Sequence, residues 1–166
     1  GFMGSGKSTL AKKLALTFSL KLMDMDLLIE KIEGETIAKI FSVKGEKYFR
    51  ELERKLLFET TKYSGYVIAT GGGAPCYRNA MEIMNKKGWT IYLKLPTSVL
   101  FKRLLKERKK RPLIKHFNNT QLKKFITSTL EEREPFYLQA KQGVDLDRED
   151  LSTLCQKIPK FVLIKS

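Results

Sequence analysis

A chain of 166 residues, 42% hydrophobic and 30% charged, suits one soluble domain with a single core and gives no reason to seek a second catalytic domain. No apolar run approaches the ~20 residues of a membrane-spanning helix, so a transmembrane reading is excluded. The formal charge of +14, from 32 Lys and Arg against 18 Asp and Glu, draws anions, although pairs such as Lys12 and Lys13, Lys86 and Lys87, and Lys123 and Lys124 read as solvated helix faces.

Residues 1–8 read GFMGSGKS, a full match to G-x-x-x-x-G-K-[ST]. Residues 7–18 then carry Leu10, Leu14, Ala15 and Phe18 at helical spacing, and 20–23 form a short apolar run suited to a buried strand. Residues 26–33 read as a helix stopped by Gly34, and 48–61 as another, with Phe49, Leu52, Leu56 and Leu57 on one face. YVIAT at 66–70 is the next strand and runs into Gly71, Gly72 and Gly73; WTIYLKL at 89–95 follows. Beyond Pro96 a helix runs through Leu100 and Leu104. The basic stretch 102–115 (KRLLKERKKRPLIK) is broken by Pro112 and ends in a polar loop at 116–120, where His116 reads as solvent-facing. A long helix at 121–141, a strand near Val144 and a helix at 150–158 complete the chain. Cys76 and Cys155, the only cysteines, read as free thiols in a reducing cytosol and receive no chemistry.

Strand-like and helix-like segments alternate, which predicts an α/β protein: three α/β/α layers around a central parallel sheet. A phosphate loop of this kind is fed by a strand, and no residue precedes Gly1 in this sequence. A strand of about 5–6 residues is therefore expected ahead of it, giving about five in the sheet. Residues 1–166 are expected to form one domain of P-loop type, with a ligand-binding segment at about 26–60 and a mobile lid at about 106–120 whose closure excludes water.

The chemistry follows from the loop. Its glycines allow backbone conformations closed to other residues, so that successive N–H groups turn inward around a phosphate, and the helix beginning near Lys7 aims its positive end at the same anion. Gly4, Ser5, Gly6, Lys7, Ser8 and Thr9 are the expected nucleotide contacts, with the Lys7 ammonium on the β- and γ-oxygens and the Ser8 hydroxyl on Mg²⁺. The motif alone leaves ATP and GTP open, and kinase, GTPase and motor alike. Asp24 and Asp26, at the carboxyl end of a strand, can share a crevice, one holding Mg²⁺ through water and the other accepting a hydrogen bond from an alcohol; helix N-capping is the plainer explanation of such a pair.

GFMGSGKST, DMDLLIE at 24–30, YFRELE at 48–53, ATGGGA at 69–74, KRPLI at 110–114 and EEREPFY at 131–137 occur in order over nearly the whole chain, and together they resemble the shikimate kinase family. The resemblance implies transfer of the γ-phosphate of ATP, with Mg²⁺, to the 3-hydroxyl of shikimate. It gives Asp24 the place near Mg²⁺ and Asp26 the contact with the shikimate hydroxyls. Arg50 and Arg133 hold the substrate carboxylate, a planar group that the guanidinium fork meets well. Gly71, Gly72 and Gly73 let backbone amides approach the substrate, the lid residue Arg111 stabilises phosphoryl charge, and Arg103 lies against adenine. Taken singly, Arg50 and Arg133 could be surface ion pairs and Arg103 an exposed helix residue. The family pattern D-[TS]-D is altered by Met25, whose side chain is expected to turn from the crevice, and VDLDRED at 144–150 matches only loosely. A cytoplasmic monomer binding neither nucleic acid nor membrane is expected; the basic lid lacks the interleaved aromatics of a stacking platform. A gluconate or nucleotide kinase, or a basic nucleic-acid-binding ATPase, are the competing readings, separable by substrate profiling.

Overall fold

The computed structural model describes residues 1–159. Four short strands, β1 (Lys21–Asp24), β2 (Tyr66–Ala69), β3 (Ile91–Lys94) and β4 (Gln142–Asp145), pair as two parallel ladders. Lys21 faces Tyr66 and Asp24 faces Ala69 in one; Ile91 faces Gln142 and Lys94 faces Asp145 in the other. Parallel neighbours need long crossovers, and helices supply them. α1 (Lys7–Thr17) precedes β1; α2 (Met25–Glu33) and α3 (Ile37–Thr60) carry the chain from β1 to β2. α4 (Ala80–Lys87) leads to β3, α5 (Thr97–Glu107) and α6 (Asn119–Tyr137) lead from β3 to β4, and α7 (Leu151–Lys157) follows.

The α/β class is as expected, while the described residues contain four strands in two separate ladders. Between β2 and β3 lies a cavity of about 560 Å³, lined by Gly1, by Leu10 and Leu14 of α1, by Val67 of β2, by Ile91 of β3 and by Met84 of α4. Gly1 is wedged at its edge: a Cβ there would stand 2.8 Å from the Leu93 carbonyl oxygen.

Two helical segments escaped the sequence reading. α3 begins at Ile37, well before residue 48, and is broken at Gly45, whose φ of 80° interrupts the helical backbone. α4 was not anticipated; its Ala80 and Met81 are buried while Lys86 and Lys87 lie in its last turn. α6 stops at Tyr137, short of residue 141, because the chain must turn to let the Gln142 N–H reach the Thr90 carbonyl at 3.1 Å. Its start is fixed by a capping box in which Asn118 and Gln121 exchange side chain to backbone hydrogen bonds.

One core cluster places Phe2 and Leu104 beneath the phosphate loop, with Leu95, Leu100, Ile114, Leu122 and Ile126. Ile114 is buried in it, so the segment between α5 and α6 is pinned at its base, while His116 is exposed, as expected. Another cluster holds Met25 with Leu57 and Ala80, which turns Met25 away from the crevice, again as expected. No helix among the described residues is long and apolar enough to cross a membrane.

Candidate active site

The loop takes the form its sequence dictates. Gly4 and Gly6 have φ of 78° and 95°, and a Cβ at Gly4 would meet Leu104 Cδ2 at 3.0 Å, so both backbone conformation and packing require glycine there. Gly6 caps α1 without a side chain and the first turn carries no acidic residue, which leaves its N–H groups for an anion. Ser5 is fully buried and its N–H donates to the Phe2 carbonyl, so it closes the turn. Thr9 is exposed in the first turn of α1.

Lys7 folds back over this cup, its ammonium donating to the carbonyls of Gly1 (2.9 Å) and Phe2 (3.0 Å). Desolvation lowers its pKa to about 8; Asp26 opposes the fall and Arg111 adds to it. The Ser8 hydroxyl donates to Asp24 Oδ2 at 2.7 Å. Asp24 also caps α2, its other oxygen accepting from the N–H groups of Asp26 (3.1 Å) and Leu27 (3.4 Å). N-capping of α2 and pairing with the Ser8 hydroxyl are thus both made by one carboxylate. Asp26 is not a second strand-end residue: it is in the first turn of α2, so helix geometry sets its direction. It is exposed on the crevice wall, and partial desolvation followed by the charge of Asp24 raises its pKa, while Lys7 and Arg50 oppose the rise.

Glu53 is the residue that sequence reasoning passed over, although YFRELE contains it. Its side chain is buried, and Oε2 accepts from Arg50 at 2.7 Å while Oε1 has no hydrogen-bond partner. Arg50 also reaches Glu46 at 3.3 Å and lies over the rings of Phe49 and Phe41 at 5.1 and 5.8 Å. A buried carboxylate, a second acid and two aromatic faces hold this guanidinium in place. The signal was available: Phe49, Glu53 and Leu57 are four apart, so Glu53 occupies a stripe whose neighbours are core residues.

The three glycines after β2 answer to these side chains. A Cβ on Gly71 would sit 2.4 Å from Glu53 Oε1 and 3.0 Å from Asp26 Oδ1; one on Gly73 would sit 2.5 Å from Arg50 Cζ. Gly72 rests on the phosphate loop, where a Cβ would meet the Gly1 carbonyl at 3.2 Å. The missing side chains at Gly71 and Gly73 make room for protein groups, beyond any approach by substrate. Gly71→Ala is therefore expected to displace Glu53 or Asp26 and to lower kcat/KM about 100-fold in steady-state kinetics, the scale of a 1 Å misplacement.

Arg133, on α6, contributes positive charge at Tyr137, Lys7 and Glu53. Arg103 donates to the carbonyls of Gly4 and Ser5 at 3.3 Å, lying on the loop itself. Arg111 pairs with Glu107 on α5 (2.9 Å from Nε), although its charge is felt at Lys7. Lys7, Asp24, Asp26, Arg50, Gly71, Gly72, Gly73 and Arg133 are thus gathered around one crevice.

The parallel ladders, the glycine loop opening α1 and the carboxylates beside it define a P-loop phosphotransferase. The model for the family described as shikimate kinase matches residues 3–162. The shikimate kinase of Bacteroides thetaiotaomicron is 42% identical over 147 residues, covering 89% of this chain and 84% of that protein; that of Bacteroides fragilis is 39% identical, covering 98% and 93%. The crystal structure of the B. thetaiotaomicron enzyme superposes with a TM-score of 0.86 at 39% identity, over 94% of this chain and 89% of that one. The Acinetobacter baumannii enzyme in complex with shikimate gives 0.84 at 32% identity, over 98% and 89%. The chain belongs to the shikimate kinase family.

Proposed function

We propose that this chain transfers the γ-phosphate of ATP to the 3-hydroxyl of shikimate, forming shikimate 3-phosphate and ADP on the route to chorismate and the aromatic amino acids. The observation that carries this is the joint placement of a carboxylate, Asp26, and an anchored guanidinium, Arg50, beside the Lys7 cup. Asp26 accepts the proton-bearing hydrogen bond of the attacking hydroxyl and orients it, while Arg50 and Arg133 take the substrate carboxylate. Lys7 follows the transferring phosphoryl group, the backbone around Gly4 and Gly6 cradles the β-phosphate, and Arg111 leaves Glu107 for the phosphates when the lid, about 106–120, closes. Arg103 is near enough to the loop to serve the nucleotide side.

A hydroxyl and a carboxylate oxygen, Ser8 and Asp24, are hard donors suited to Mg²⁺, which takes one or two protein ligands together with phosphate oxygens. When bound it neutralises phosphate charge. The chain acts as one domain with its acceptor segment at about 26–60, as a cytoplasmic monomer.

Phosphorus NMR of the product formed from MgATP and shikimate tests the proposal. A phosphate monoester at the 3-oxygen is expected, with gluconate and nucleoside monophosphates unchanged; phosphorylation of one of these in its place contradicts it. The pH dependence has a definite sign. With the Lys7 pKa lowered to about 8, the free enzyme loses this cation as pH rises, so kcat/KM for MgATP should fall through about pH 8. Lys7→Arg, whose charge persists to pH above ~12, should remove that decline. A wild-type profile that stays level to pH 9.5 or so contradicts the role of Lys7.

A further inference from the structure

Tyr137 ends α6 four residues beyond Arg133, one helical turn away on the same face. Its side chain is 2% exposed and its ring packs on Tyr92 of β3, with centroids 5.1 Å apart. The hydroxyl donates to the Gly72 carbonyl at 2.5 Å, and the positive charge of Arg133 is felt at the phenol.

A buried tyrosine commonly satisfies its hydroxyl on a nearby carbonyl, and that alone would say nothing of function. Here the hydroxyl ties α6, which carries Arg133 one turn earlier, to the glycine turn after β2. In the functional reading above, Arg133 serves the acceptor. Gly72 lies against the phosphate loop so closely that a Cβ on it would stand 3.2 Å from the Gly1 carbonyl and 3.5 Å from the Met3 nitrogen. The path from α6 through the buried Tyr137 side chain and Gly72 to Gly1 and Met3 is short and contains no long flexible side chain.

We propose that Tyr137 is a positioning residue which sets the spacing between the acceptor clamp and the phosphate loop, so that the bound hydroxyl meets the γ-phosphate at transfer distance. The role rests on the functional reading above. It acts on the acceptor side and on transfer, and leaves ATP capture to the loop, whose groups Tyr137 does not touch directly.

Tyr92 provides an internal control. Its hydroxyl bonds Glu134 Oε1 at 3.3 Å, away from Gly72 and Arg133, so Tyr92→Phe removes a hydroxyl from the same stacked pair without cutting the path. Tyr137→Phe keeps the ring and removes only the link. Steady-state kinetics are measured for wild type and both variants, with thermal melting alongside. Tyr137→Phe should lower kcat/KM for shikimate by about 10-fold or more, with KM for MgATP within about twofold of wild type. It should also make more ADP than shikimate phosphate, because a misplaced acceptor leaves room for water. Tyr92→Phe should retain wild-type kinetics. Tyr137→Phe with unaltered shikimate kinetics, or with both substrates impaired equally in step with a lower melting temperature, overturns the role of Tyr137 alone. A wild type that forms no ADP in response to shikimate overturns the functional reading, and the role of Tyr137 with it.

Discussion

Asp26→Asn lowers kcat for shikimate phosphorylation by about 100-fold or more, while ATP binding changes by no more than about twofold. The substitution keeps the shape of the side chain and removes the acceptor that takes the hydroxyl proton. ATP binding is spared because the loop N–H groups, Lys7 and Ser8 are untouched. Stability should hold as well. Partial desolvation and the like charges of Asp24 and Glu30 raise the Asp26 pKa, against the opposing charges of Lys7 and Arg50. A group whose folded pKa is raised costs stability once it ionises, so the neutral Asn should leave the melting temperature at neutral pH unchanged or higher. Turnover, ATP titration and melting curves on one preparation check all three. Near-normal turnover removes Asp26 from the mechanism.

Lys7→Ala is the second large effect: kcat falls about 100- to 1000-fold, the usual result of deleting one charged donor at a developing anion. Lys7 rests on the carbonyls of Gly1 and Phe2, contacts that a phosphate must displace. Removing it leaves those carbonyls lining the cup without a cation. Both KM for ATP and kcat should suffer, with the larger loss in kcat, since the charge to be met grows as the phosphoryl group moves. An effect on KM alone would assign Lys7 to ground-state binding.

The parts of the site that could be read in the sequence are those whose physics is local. The loop glycines, Lys7 and Ser8 need only backbone conformation and a helix start, and the structure arranges them as the spacing implied. Asp24 was legible as a helix cap because capping is also local. Glu53 was not, since its function arises when α3 packs its buried stripe against the Gly71 turn, a contact between distant residues. Gly71 and Gly73 were legible as close approaches, but what approaches them, Glu53 and Arg50, was not. The strands were found from short apolar runs, whereas the division into two ladders is a tertiary fact beyond the reach of hydrophobic pattern. The start of α3 was missed because Gly45 breaks the helical pattern before residue 48.

Direct handover between two ligands in one crevice makes a stereochemical demand. ATP whose γ-phosphate is made chiral with oxygen isotopes and sulfur should yield shikimate 3-thiophosphate of inverted configuration at phosphorus, because one in-line displacement inverts once. Retention would mean two displacements through a phosphorylated protein group, and would contradict a site in which Asp26 and Lys7 serve a single transfer.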